Sequence, residues 1–142
     1  MVNWSEPLRH LDVSYTNYSG ELPKSIGKLK SLRHLILSGC NFNGSIPAWL
    51  GNLTQLTILD LSTNNFGGDM PSSLSNLNAL FSLDLHSNHL SGTLPRWLGN
   101  LTRVTQILLG NNNFTGQVPL SLSNLKDLAL ISLKYNNFEA IH

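Results

Sequence analysis

A chain of 142 residues that repeats itself every 24 residues without insertion is built as a stack, in which each repeat buries its apolar face against the next. Leu8, Leu32, Leu56, Leu80, Val104 and Leu128 mark the period. Three residues later stand Leu11, Leu35, Leu59, Leu83, Ile107 and Ile131, and two beyond those Val13, Leu37, Leu61, Leu85, Leu109 and Leu133. That last step has strand spacing, so these side chains share one face, and Asp12, Ile36, Asp60, Asp84, Leu108 and Ser132 between them point to the other. The pattern predicts six parallel strands, one per repeat, about 4.8 Å apart and together spanning roughly 25–30 Å.

The remaining columns describe the return path. Thr16, Cys40, Asn64, Asn88, Asn112 and Asn136 stand where the chain leaves the strand, and an Asn amide there can donate to and accept from backbone groups that the turn exposes. Cys40 in that column reads as a small buried spacer. Tyr18, Phe42, Phe66, Leu90, Phe114 and Phe138 form an apolar column expected to stack as core. Gly20, Gly44, Gly68, Gly92 and Gly116 mark a turn where a side chain is unwelcome or φ is positive, and a proline follows three residues after each (Pro23 to Pro119), opening a short extended segment. Ile26, Leu50, Leu74, Leu98 and Leu122, each followed three residues on by Leu, suit one 3₁₀-like turn on the convex side, with Trp49 and Trp97 packed partly buried beside them.

The strings LTILDLSTNNFGGDMPSSLSNL and LFSLDLHSNHLSGTLPRWLGNL fit LxxLxLxxN followed by SGxLPxxIGxL, which resembles the plant class of leucine-rich repeats from about Leu8 to Phe138. The fold implied is an α/β-type repeat solenoid: a right-handed superhelix of six repeats beginning near 8, 32, 56, 80, 104 and 128, with a parallel sheet on the concave face and 3₁₀ turns on the convex face. Residues 1–142 then form a single domain. The resemblance is to ectodomains of receptor-like proteins and receptor-like kinases, which implies an extracellular module recognising a protein or peptide ligand, with a co-receptor as a further partner, in defence or developmental signalling. The alternative is a secreted enzyme inhibitor similar to polygalacturonase-inhibiting proteins. The cysteine-paired caps of such ectodomains are missing here and the last repeat stops at Glu139-Ala140-Ile141-His142, so the chain reads as an excerpt whose ends should fray or self-associate.

Composition narrows the partners. Nine Lys plus Arg against eight Asp plus Glu leave a formal charge of +1, no field for a nucleic-acid backbone or an anionic membrane surface. Met1–Pro7 lacks the basic-then-apolar pattern of a signal peptide, and no apolar run could span a bilayer. Placement on the outer face of the plasma membrane or in the cell wall therefore requires targeting segments elsewhere. Six sequons, at Asn3, Asn17, Asn43, Asn52, Asn100 and Asn113, are candidate glycosylation sites.

No cofactor motif, metal-ligand set or catalytic constellation is expected. Asp12, Asp60 and Asp84 with His10, His34 and His86 share the concave face, but Asp between two strand leucines is ordinary in this repeat class, and an open sheet supplies no pocket that excludes water. The expected role of this face is ligand contact. Its candidate residues are His10, Asp12, His34, Asp60, Phe81, Asp84, His86, Leu108, Lys134 and Tyr135, with the C-terminal end made more apolar by Leu130.

Overall fold

The computed structural model describes residues 7–139. Asn3, most of the Met1–Pro7 stretch and the closing Ala140-Ile141-His142 lie outside the described residues. Strands β1 (His10–Asp12), β3 (His34–Ile36), β5 (Ile58–Asp60), β7 (Ser82–Asp84), β9 (Gln106–Leu108) and β11 (Leu130–Ser132) form one parallel sheet in chain order. Pairing is in register at 24 residues, His10 on His34 and Asp60 on Asp84, so each repeat column becomes a line across the sheet. The inward line Leu35, Leu59, Leu83 and Ile107 is sealed from solvent, as are Leu37, Leu61, Leu85 and Leu109. This is the concave sheet that the apolar columns predict.

A second parallel sheet, which the columns did not predict, runs along the stack: β2 (Ser19–Gly20), β4 (Asn41–Ser45), β6 (Asn65–Gly68), β8 (His89–Thr93), β10 (Asn113–Gly116) and β12 (Asn137–Phe138). Its partners are 22 residues apart, Asn43 on Asn65 and Thr93 on Thr115, so its pairing slips by two residues per repeat against the 24-residue period. Each glycine that the sequence places in a turn sits here with φ between 74° and 81°. The aromatic column is buried in the middle of the stack, at Phe42, Phe66, Leu90 and Phe114. Tyr18 departs from the core role expected of it and is 57% exposed: its ring stacks on Phe42 at 6.4 Å, and among the described residues no preceding ring covers its other side.

Five 3₁₀ turns, Lys24–Lys28, Ala48–Asn52, Ser72–Asn76, Arg96–Asn100 and Leu120–Asn124, close the convex side. Each follows a proline held in the extended region, which cannot donate to a ladder and so ends the strand path. Trp49 and Trp97 pack partly buried against the core, as expected. Gly51 and Gly99 have a packing reason: a Cβ at either position would run into the backbone carbonyl of Ser73 or Ser121 in the next turn. Every second turn can therefore approach its successor closely.

The Asn ladder does what its chemistry suggests. Asn64 accepts the Phe42 N–H at 3.1 Å and donates its amide to the carbonyls of Leu37, Leu61 and Ser62 at 2.8–3.1 Å. Asn88 and Asn112, both buried, and the partly buried Asn136 repeat the pattern, binding each repeat to its predecessor. Cys40 is buried and offers its thiol to the Val13 carbonyl at 3.3 Å, a weaker version of the same tie.

Candidate functional site

One residue before the Asn column the backbone turns left-handed in every repeat: Tyr15, Thr63, Ser87, Asn111 and Tyr135 have φ of 55–58°, and Gly39 has 67°. Only the glycine and Asn111 adopt this conformation readily. The hydrogen bonds explain why the others accept it. From Tyr15 to Asn111 the N–H donates to the next repeat, Tyr15 to the Ser38 carbonyl at 2.8 Å, Thr63 to His86 at 2.9 Å and Asn111 to Lys134 at 2.8 Å, so the turn extends the concave ladder beyond its strands, and Tyr135 in the last repeat keeps the same φ. The result is a rim of side chains along the C-terminal edge of the concave sheet.

The aspartates serve this turn as well. Asp12 and Asp60 each accept the N–H and hydroxyl of the serine two residues on, and Asp84 accepts the His86 N–H at 3.2 Å and its Nδ1 at 2.6 Å. One oxygen of each candidate aspartate is thus occupied in holding the strand exit, a structural task that the ligand-contact reading had not assigned to it. The Ser14 hydroxyl and N–H keep the Asp12 carboxyl below the usual carboxylate range. Burial pushes Asp84 above it, opposed by the His86 hydrogen bonds and aided by the charge of Asp60 in the adjacent strand.

A group whose folded pKa is raised binds its proton more tightly when folded, so Asp84 favours the fold at low pH and loses that contribution as pH rises through the folded value. Thermal melts of Asp84→Asn should consequently decline less than those of the parent between the usual carboxylate range and neutrality. The comparison isolates this group, because Asp12 acts in the opposite sense in both proteins.

At the C-terminal end the rim and the strands enclose a concave groove of about 540 Å³, lined by His86, Ser87, Leu108, Gly110, Asn111, Leu130, Ser132, Lys134 and Tyr135. Tyr135 is 76% exposed and Leu130 47%, an aromatic and an aliphatic side chain held on strand and turn backbone rather than on a loose loop. Lys134 places its ammonium 5.9 Å from the Tyr135 ring centroid. The groove unites four of the predicted candidates, His86, Leu108, Lys134 and Tyr135. Asp60, Asp84 and Phe81 lie outside its lining, and His10, Asp12 and His34 stand at the opposite end of the sheet. Ser87 and Asn111 were missed, although they share the 24-residue column of Tyr135.

A cleft of about 570 Å³ lies on the other side of the stack between Thr93–Arg96 and Gln117–Ser121. It offers the exposed Leu120 and the Arg96 side chain, and lacks the aromatic, imidazole and ammonium groups of the concave groove. All five sequon asparagines among the described residues are exposed, Asn17, Asn43 and Asn113 on or beside the second sheet and Asn52 and Asn100 at the ends of 3₁₀ turns. None is in the concave sheet. Among the described residues no helix is long and apolar enough to cross a membrane.

A family profile described as a leucine-rich repeat region matches residues 5–138. The chain belongs to the leucine-rich repeat family. Solved structures similar to it include plant leucine-rich repeat receptor ectodomains. The Arabidopsis receptor kinase HAESA, solved with the peptide hormone IDA and the co-receptor SERK1, superposes with a TM-score of 0.91 at 38% identity, over 93% of this chain and 22% of that one. A chain of the Arabidopsis thaliana BIR3–SERK2 complex gives 0.86 at 32% identity, over 97% of this chain and 73% of that one. A plant ice-binding protein gives 0.83 at 31% identity, over 92% and 50%, so this repeat scaffold serves more than one kind of surface. No match was found among curated proteins. The present leucine-rich repeats span about a fifth of the length of the receptor ectodomains of the HAESA type.

Proposed function

We propose that this chain is the ligand-reading part of an extracellular plant receptor, and that the concave groove between β7 and β11 takes a peptide or an extended protein segment. The observation that carries this reading is the groove itself, where Tyr135, Leu130 and Leu108 offer apolar anchors beside the Lys134 ammonium and the His86 imidazole. Anchors of this kind, spread over several strands and rimmed by polar groups, suit a polypeptide better than a compact cofactor. Glycans on Asn17, Asn43, Asn52, Asn100 and Asn113 would cover the second sheet and the convex turns and leave this face open. A co-receptor is the natural second partner, by analogy with the complexes of the similar ectodomains. No catalytic role is assigned to the chain, and its place is the outer face of the plasma membrane or the cell wall.

The test uses peptides selected from a random display library against the chain. Tyr135→Ala and His86→Ala should each weaken the selected peptides by tenfold or more, since truncating a central anchor costs about 2 kcal/mol or more of binding. Lys28→Ala and Asn76→Ala, exposed on the convex turns, should leave affinity unchanged. Loss from the convex pair alone would move the site away from the groove.

A further inference from the structure

The far end of the concave sheet carries a feature outside the groove proposed for the peptide. His10 on β1 and His34 on β3 are register partners, and their Nδ1 atoms stand 2.8 Å apart with the rings edge to face at 84° and 5.0 Å between centroids. The backbone beneath them is fixed by the ladder, with the Arg33 and His34 N–H groups both donating to the Arg9 carbonyl at 2.7 and 3.0 Å. His10 is exposed and His34 partly so, and among the described residues neither has an acidic partner like the one that holds His86.

We propose that His10 and His34 form an open two-nitrogen site for a late divalent transition metal, with the cupric ion bound most tightly. In the neutral pair one Nδ1 carries the proton and the other accepts it; moving that proton to Nε2 leaves two lone pairs at the same place. Both ring planes can turn about their Cβ–Cγ bonds toward solvent to aim those pairs at one ion. Metal–imidazole distances of about 2.0–2.1 Å put two nitrogens about 2.9 Å apart when they meet at a right angle, and about 3.4 Å apart in a tetrahedron. The hydrogen-bonded separation of 2.8 Å shows that the two nitrogens can come as close as a right-angle site requires, the angle between neighbouring ligands in the square-planar and tetragonal geometries of copper(II) and nickel(II). Copper heads the affinity order for such ligands. Among the described residues no third His, Cys, Asp or Glu joins the pair, so the other coordination positions face outward from the sheet, open to water or to a donor on a bound molecule.

Titrating the intact chain with copper(II), followed by calorimetry and by electron paramagnetic resonance, tests the site. The expected result is one tight ion per chain, with hyperfine coupling to two equatorial nitrogens. His10→Ala and His34→Ala should each weaken it at least tenfold and reduce the coupling to one nitrogen, whereas His86→Ala with His89→Ala should leave both readouts as they were. Circular dichroism would confirm that the surface variants remain folded. Unchanged affinity in the first two variants, or its loss in the second pair, would overturn the proposal and leave the His10–His34 contact as a hydrogen bond only.

Discussion

Truncating Leu83 to alanine should lower the stability of the stack by about 2–5 kcal/mol, read as a fall in the urea midpoint. Leu83 is 1% exposed and sits between Leu59 and Ile107 in the inward line of the concave sheet. Its neighbours are held in register by ladders on both sides, so they cannot move in to fill the space, and the cost lies in the cavity as well as in the lost transfer energy. Leu130→Ala, on the solvent side of β11, should change the midpoint by less than about 0.5 kcal/mol. Equal effects from the two would mean that the apolar columns do not form one continuous core.

Replacing Asn88 with leucine should cost about 1–3 kcal/mol, although leucine is more apolar and of similar size. The reason lies in which partners have substitutes. The Leu61 and Leu85 carbonyls, which accept from Asn88, also accept from Asn64 and Asn112, and the His86 carbonyl keeps the Thr63 N–H. The Phe66 N–H has the Asn88 carbonyl oxygen as its side-chain acceptor at 3.0 Å, and leucine would leave this donor buried without it. A leucine variant as stable as the parent would remove the Asn ladder from the list of what holds neighbouring repeats together.

These two positions were legible in the sequence because their columns obey simple chemistry: a period-2 apolar pair for the strand, and a side chain able to donate and accept at a buried turn. The second sheet was not, for two physical reasons. Its strands are written in Asn, Gly and Ser, residues poor in strand propensity, as in Asn41-Phe42-Asn43-Gly44-Ser45. Its 22-residue pairing also cannot be seen by aligning a 24-residue repeat, because Asn43 faces Asn65 rather than its own counterpart Gly67. The left-handed column was hidden similarly, since Tyr15, Thr63 and Tyr135 are not residues that announce positive φ.

The candidate site was half legible. The outward positions of the strands follow from alternation, which is why His86 and Leu108 were found. Lys134 and Tyr135 follow from the sequence as concave-face residues that packing does not need, but what places them with Ser87 and Asn111 is the left-handed turn, which a single repeat does not announce. The Asp column shows the converse. Beside the ligand contact expected of it, the structure engages one oxygen of Asp12, Asp60 and Asp84 in the strand exit, a task that acidity alone does not announce.

A polypeptide bound in the concave groove at the C-terminal end should be visible by methyl NMR of leucine-labelled protein titrated with a peptide selected from the display library. Saturable shifts of the Leu108 and Leu130 methyls are expected, with Leu120, 90% exposed in the cleft on the other side, unmoved. Shifts at Leu120 with Leu108 and Leu130 unchanged would contradict binding in the groove.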